Sequence, residues 1–150
     1  MNAKQTASKA ASKFMKGYNC AESVLLTMAE HDGVRSELIP RIATPFGGGM
    51  ARSASICGCV TGALMAIGLK HGRRHATEDR VKAYTVATSF MAEFEKRFGS
   101  LICYDLIGCD FRIPEGRKRF EELKKSRCVS FVKGAVEIVL ETEKGRRLEL

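Results

Sequence analysis

Tryptophan is absent from this 150-residue sequence, proline and histidine occur only three times each, and no two cysteines are separated by two residues. Few prolines together with 45% hydrophobic residues exclude a disordered chain and are typical of one soluble globular domain. The absence of CxxC pairs excludes zinc ribbons and ferredoxin-type sites, whose ligands cluster in sequence. Any site built from the six cysteines must therefore be assembled by the fold.

Long apolar segments are also missing. The uncharged stretch at residues 53–69 is shorter than the roughly 20 residues that a bilayer requires, so we expect a buried helix and no membrane span. Lys4, Lys9 and Lys13 interrupt the apolar core that a secretory signal needs, which predicts a cytoplasmic location. Thiols stay reduced there, so the cysteines indicate metal binding or redox chemistry rather than structural disulfides.

The net charge of +8 favours anionic partners, and the densest basic clusters are at residues 70–75 and 116–127. Neither cluster contains the interleaved aromatic residues of a single-strand platform or a groove-reading motif. We therefore interpret them as a solvated basic face and do not expect nucleic acid as a partner.

Apolar residues recur at helical spacing along the chain, whereas alternating strand patterns are rare. The sequence predicts an all-α, single-domain bundle over residues 1–150, with about five to six helices around a central helix rich in small residues. We expect a frayed tail from about residue 142. The predicted helices cover residues 3–16, 20–32, 36–42, about 54–70, 77–98, 115–125 and the segment after Ser126.

Small residues follow a four-residue spacing on the predicted central helix, at Gly58, Gly62 and Ala66. Helical glycine is unfavourable by roughly 1 kcal/mol relative to alanine, so close packing or a nearby cofactor must offset it. Close packing against a neighbouring helix is the preferred interpretation.

Three cysteines lie near predicted helix starts, namely Cys20, Cys57 and Cys128. Unpaired N–H groups and the helix dipole favour the thiolate there, which is the form that attacks disulfides and binds metals. In a regular helix, Cys57 and Cys59 point about 200° apart and do not share one site. We therefore expect Cys59 to pack beside the small residues and Cys57 to be the functional thiol.

The sequence resembles the C_GCAxxG_C_C family of redox-active proteins over residues 14–132. The matching segments are GYNCAESVL at 17–25, FGGGM at 46–50, CGCVTGALMAIGL at 57–69, CYDLIGCD at 103–110 and CVSFV at 128–132. Cys59 stands where the family's CGAxxG motif has alanine. Some members carry the twin-arginine export signal of cofactor-loaded proteins, which the N-terminus of this sequence lacks.

The resemblance implies a redox role for four cysteines, with an iron–sulfur cluster or other metal as the cofactor. Glycines near these thiols leave room for the cofactor, whereas Cys59 and Cys109 are additional cysteines with no assigned role. The family's cysteines fall on Cys20, Cys57, Cys103 and Cys128, as catalytic residues and metal ligands, and the cofactor-binding glycines are Gly47, Gly48, Gly49 and Gly58.

Three functional hypotheses remain open at this point. The first is electron transfer through a metal or iron–sulfur centre held by the four thiolates. The second is thiol–disulfide chemistry with the same cysteines, in which a low-pKa thiol such as Cys20 or Cys57 is resolved by Cys103 or Cys128. The partner in either case is a redox protein or a small-molecule oxidant or reductant. The third hypothesis is a helical interaction module, such as a homodimer, with buried structural cysteines.

Overall fold

The computed structural model describes residues 1–144 and contains seven α-helices in that range. A 3₁₀-helix, Arg41–Phe46, follows α2, and a π-helical turn, Lys124–Cys128, joins α6 to α7. Within these residues no strand is present beyond one isolated bridge between Ile56 and Ile102. The predicted all-α fold is therefore confirmed. The α-helices are α1 Ala3–Met15, α2 Cys20–His31, α3 Gly58–His71, α4 Val81–Phe98, α5 Cys103–Ile107, α6 Pro114–Leu123 and α7 Val129–Lys144.

The centre of the bundle is formed by two helices. Helix α3 packs against α2, α4 and α7, and α7 in turn packs against α1, α2, α3 and α4. A Cβ atom added at Gly62 of α3 would lie 2.6 Å from the carbonyl oxygen of Ala21 in α2, so the two backbones meet without side chains between them. The predicted central helix with close small-residue packing is confirmed, but it shares its position with α7.

Aromatic residues fill the opposite side of the core, where α4 faces α7. Phe94 lies between Phe90 and Phe98, and Phe98 makes an edge-to-face contact with Phe131 at a centroid distance of 5.1 Å. Gly134 of α7 makes room for the Phe98 ring, because a Cβ atom there would collide with it. Ring packing of this kind adds stability beyond the area that it buries.

Several predicted helix boundaries are wrong. Residues 37–40 form turns, and the helical segment is the 3₁₀-helix that follows them. Ser126 does not cap the last helix, because it lies inside the π-helical turn and its hydroxyl donates to the carbonyl of Leu123. Helix α7 continues through Lys144, so residues 142–144 are helical, and the rest of the tail predicted to fray lies outside the described residues.

The glycine-rich segment before α3, residues 47–55, winds with left-handed backbone and is called the left-handed loop below. The positive φ angles are 63° at Gly48, 67° at Gly49, 69° at Met50, 49° at Ala51, 63° at Arg52 and 57° at Ala54. For residues other than glycine this conformation is unfavourable by roughly 1–2 kcal/mol each. Backbone hydrogen bonds hold it, among them Ser55 N–H to Gly49 O at 2.8 Å. Such strain persists only where the surrounding structure enforces it.

None of the helices within residues 1–144 is both long enough and apolar enough to cross a membrane.

Candidate functional site

Cys20 is the first residue of α2, and the predicted capping box fixes that helix start. The side chain of Asn19 accepts from the Glu22 N–H at 2.8 Å, and the Glu22 carboxylate accepts from the Asn19 N–H at 2.9 Å. Thr44 ties this cap to the 3₁₀-helix by donating its hydroxyl to Glu22 at 2.8 Å. Cys20 therefore sits at a rigid helix N-terminus, where the positive dipole end favours a thiolate.

Cys57 is the N-cap residue of α3, and the segment before it pairs with the segment before α5. Cys57 N–H donates to Leu101 O at 2.8 Å, and Cys103 N–H donates to Ser55 O at 2.6 Å. This short antiparallel pairing brings Cys57 and Cys103, which are far apart in sequence, to the starts of two adjacent helices.

The expectation that Cys57 and Cys59 point apart is wrong. Cys57 has extended backbone, with φ −55° and ψ 135°, and α3 begins only at Gly58. The 200° separation applies to two residues of one regular helix, so it does not apply to this pair. The Cys59 thiol hydrogen-bonds with the thiols of both Cys20 and Cys57, so both cysteines of the CGC segment face the same group of thiols.

Five of the six cysteines line one cavity of about 510 Å³. The cavity lies among the starts of α2, α3 and α5, the left-handed loop, and the π-helical turn with the first residues of α7. The fold thus brings together all four thiols that the sequence singled out and adds one that the sequence analysis had assigned to packing. The cysteines of the cavity are Cys20, Cys57, Cys59, Cys103 and Cys128.

The thiol of Cys20 is the most strongly stabilised as a thiolate. The hydrogen bond with Cys59, followed by backbone hydrogen bonds at Gly48, Ala21 and Cys20 itself, lowers the pKa of Cys20 to about 7 although burial opposes the shift. The Gly48 group belongs to the left-handed loop, so the unfavourable backbone there presents a donor to the sulfur. A thiol with such a pKa is about half ionised at neutral pH.

Three of the cavity thiols, those of Cys59, Cys103 and Cys128, favour the protonated form. Burial, and then hydrogen bonds with Cys20 and Cys57, raise the pKa of Cys59 well above its ordinary value. Burial raises the pKa of Cys103 to about 12 and also raises the pKa of Cys128. Cys128 lies in the π-helical turn inside a continuous helical segment, so the helix-start environment predicted for it does not exist.

The glycines predicted to bind a cofactor mainly make room for protein atoms. Gly58 faces the sulfur of Cys20, which a Cβ atom would displace, and a Cβ atom at Gly47 would lie 2.6 Å from the Asn19 amide nitrogen. Gly47, Gly48 and Gly58 line the cavity. Gly49 does not, and a Cβ atom added there would lie 2.7 Å from the Cβ atom of Cys103.

Cys109 lies outside this cavity. It is completely buried, and its thiol donates to the carbonyl of Ile107 at 3.5 Å. Burial also raises the pKa of this thiol. It behaves as a small packed residue, in agreement with its description as an additional cysteine.

Metal binding is limited by the distances between donors. Within residues 1–144, no three Cys, His, Asp or Glu side chains converge closely enough to hold a single metal ion. Cys20, Cys57 and Cys59 lie on one wall of the cavity, and Cys103 and Cys128 lie on the other.

A family model described as "Putative redox-active protein (C_GCAxxG_C_C)" matches residues 18–142, which is most of the chain. No curated protein and no solved structure gives a significant match. The matched range contains all five thiols of the cavity.

Proposed function

The chain belongs to the C_GCAxxG_C_C family of redox-active proteins, and from that premise we propose that it carries out thiol–disulfide exchange, with Cys20 as the attacking thiolate and Cys59 as the resolving thiol. The observation that carries this proposal is the direct contact of the two thiols at the start of α2, beside the cavity.

Cys20 meets the requirements for the attacking residue. It is partly exposed, whereas Cys59 is 1% exposed, so an incoming disulfide reaches Cys20 first. Hydrogen bonds from backbone N–H groups and from Cys59 stabilise its charge, and the lowered pKa agrees with this geometry. A thiolate whose pKa is close to the ambient pH combines high ionisation with adequate nucleophilicity.

Cys59 meets the requirements for the resolving residue. It stays protonated until the exchange begins, because burial raises its pKa. Formation of a mixed disulfide at Cys20 removes the negative charge beside Cys59, and the Cys59 thiolate then attacks the Cys20 sulfur. The products are a Cys20–Cys59 disulfide and the two sulfurs of the substrate disulfide as thiols, one released at each step. Cys57, which also contacts Cys59, is the alternative resolving residue.

The test is disulfide mapping after the reduced, metal-free protein has been oxidised with a small-molecule disulfide, which supplies the sulfur of any mixed disulfide. We expect a Cys20–Cys59 disulfide that forms and is reduced reversibly, and we expect Cys109 to remain a thiol. The matched variants are Cys59→Ala, which should accumulate a stable mixed disulfide at Cys20, and Cys109→Ala, which should behave like the parent protein. Oxidation that leaves Cys20 unpaired in the parent protein contradicts the proposal.

A second candidate function is electron transfer through an iron–sulfur cluster. It is supported by the arrangement of Cys20, Cys57, Cys103 and Cys128 around one cavity, because four thiolates at separate positions suit a multi-atom cluster better than a single ion. Such a group supplies one-electron transfer when it is bound. The four thiols would hold it, and the apolar walls would keep water from it.

A visible absorption spectrum with iron and sulfide analysis of anaerobically purified protein separates the two candidates. Near-stoichiometric iron and sulfide support the cluster, whereas a colourless protein whose thiols cycle in pairs supports exchange. Thiols inert to both metal and oxidant would leave the helical interaction module as the function.

We place the protein in the reducing cytoplasm, which accords with six free cysteines in the structure.

A further inference from the structure

We propose that the cavity takes a small anionic disulfide and that Arg52 binds the anionic group of this substrate; the proposal rests on the thiol–disulfide function proposed above. It identifies a substrate class and a binding residue for the exchange reaction.

The size and burial of the site favour a small molecule over a protein disulfide. The cavity volume of about 510 Å³ lies within the range of roughly 300–1,000 Å³ that is typical of small-molecule sites. Cys59 and Cys57 are buried, so the resolving step occurs inside the cavity rather than at the surface. The rings of Phe14, Phe111 and Phe131 line the cavity and suit the carbon chain of an organic substrate.

The charge of the lining favours an anion. Its charged side chains are those of Arg52 and Lys124, and within residues 1–144 no acidic side chain lines the cavity. Lys124 forms an ion pair with Glu121, which offsets part of its charge. The Arg52 guanidinium forms no hydrogen bond or ion pair within the described part of the chain, so it is the cation available to a ligand. A planar guanidinium also binds a carboxylate through two hydrogen bonds.

One loop places both the cation and a donor to the reactive sulfur. Gly48 N–H hydrogen-bonds to Cys20, and Arg52 follows four residues later in the same left-handed turn, with its Cα 2.9 Å from where a Cβ atom of Gly48 would lie. Arg52 itself has a φ angle of 63°, an unfavourable conformation for arginine. The left-handed loop thus contributes Arg52 to the cavity lining and an N–H group to the Cys20 sulfur.

The reaction balances without an external oxidant. The Cys20 thiolate attacks one sulfur of R–S–S–R, which forms a Cys20–S–S–R bond and releases RS⁻. The thiol proton of Cys59 neutralises a released thiolate, and the Cys59 sulfur then attacks Cys20, which releases the second RS⁻. Two electrons pass from the two cysteines to the substrate, giving two R–SH after protonation from solvent.

The test compares three disulfides of similar size but different charge: bis(2-carboxyethyl) disulfide with two negative charges, the neutral bis(2-hydroxyethyl) disulfide, and cystamine with two positive charges. Loss of the Cys20 thiol is followed by mass spectrometry after acid quenching at low salt. We expect the dianion to react about tenfold faster than the neutral compound, as electrostatic attraction in a cleft predicts. Arg52→Gln should reduce this ratio to about twofold.

Arg35→Gln is the control, because Arg35 is exposed, lies outside the cavity lining, and its replacement makes the same change in net charge. It should keep the ratio of the parent protein. Equal rates with all three disulfides, or an Arg52→Gln ratio equal to that of the parent protein, would overturn the anionic substrate while leaving the exchange function intact. Absence of reaction with every disulfide would instead overturn the exchange function itself.

Discussion

One wall of the thiol cavity contains a thiol whose pKa is lowered, whereas both thiols of the opposite wall have raised pKa values. On the wall formed by α2 and α3, the pKa of Cys20 is lowered to about 7. On the wall formed by α5 and the π-helical turn, burial raises the pKa of Cys103 to about 12 and raises that of Cys128 as well. On the first wall, hydrogen bonds from backbone N–H groups and from a neighbouring thiol lower the pKa of Cys20. On the second wall, desolvation is the main cause of the raised pKa values.

A helix start alone does not lower the pKa of a thiol. Cys103 is also the first residue of a helix, but α5 spans only Cys103–Ile107. Among the described residues 1–144, no donor from another segment hydrogen-bonds to that sulfur and lowers its pKa. Cys20 begins a twelve-residue helix and receives an additional hydrogen bond from Gly48 of the left-handed loop. Donors from a distant segment, added to the helix end, distinguish the thiol with the lowered pKa.

The largest effect should come from Gly58→Ala, which disturbs the packing around Cys20 on the first wall. The new Cβ atom collides with the Cys20 sulfur and would lie 3.0 Å from the carbonyl oxygen of Phe46. Because a backbone atom cannot rotate away, we expect a loss of about 2 kcal/mol in the free energy of unfolding, measured by urea denaturation. We also expect slower alkylation of Cys20.

Gly68→Ala is the matched control on the same helix, since an added Cβ atom meets nothing within 4 Å. It should stabilise the protein by roughly 0.5–1 kcal/mol, because alanine loses less backbone entropy than glycine. Equal destabilisation by the two substitutions would show that the space at Gly58 is not needed for Cys20.

The next effect should come from Cys20→Ser, which removes the thiol with the lowered pKa from the first wall. With the pKa of Cys20 at about 7, its alkylation by iodoacetamide at pH 7 should be about tenfold faster than that of an ordinary thiol, after allowing for lower nucleophilicity. The variant should lose this fast phase, while Cys103→Ser should retain it. A fast phase that survives in Cys20→Ser would assign the reactive thiol elsewhere.

The smallest effect should come from Cys103→Ala and appears only at alkaline pH. The folded state keeps the Cys103 proton to about pH 12, whereas the unfolded chain releases it near the ordinary value of 9.0. The unfolded state therefore binds fewer protons above pH 9, and the free energy of unfolding falls as pH rises. Between pH 8 and pH 10 the free energy of unfolding of the parent protein should fall by about 1 kcal/mol more than that of Cys103→Ala. The measurement is urea denaturation under reducing conditions.

Cys20→Ser provides the comparison for this pH dependence. The pKa of Cys20 is lowered, so its thiolate adds stability as pH rises from about 7 to 9 and adds nothing further above that range. Cys20→Ser should lack this gain in the free energy of unfolding between pH 7 and pH 9. It should keep the fall in the free energy of unfolding at alkaline pH that Cys103 causes. An alkaline loss that is the same in the parent protein and in Cys103→Ala would contradict a protonated Cys103 in the folded state.

Much of the fold followed from local sequence signals. Asn19 and Glu22 predicted the start of α2 because both halves of a capping box lie within four residues. Gly58 and Gly62 predicted close helix packing because they are four residues apart and therefore lie on the same face of one helix. The π-helical turn was not predictable, because residues 114–144 form one helical segment in which Ser126 merely resembles a cap.

The error at Cys59 came from a shift in a helix start. The sequence predicted a helix already formed at Cys57, whereas hydrogen bonds with residues 101–104 keep the backbone before Gly58 extended. The pairing partner lies more than forty positions away, so no local pattern reveals it. Cys57 and Cys59 share one site because Cys57 lies outside the helix that contains Cys59.

The sequence by itself determined the helical class, the capping of α2 and the small-residue packing, because each depends on residue type and short-range spacing. The set of four cysteines was indicated by the resemblance to the family and not by spacing, since neighbouring members of the set are at least 25 positions apart. Only the tertiary structure decided which thiol is ionised, that Cys59 joins the site, and that Arg52 faces the same cavity. Those properties depend on burial, on donors from other segments and on a left-handed loop that the surrounding contacts enforce.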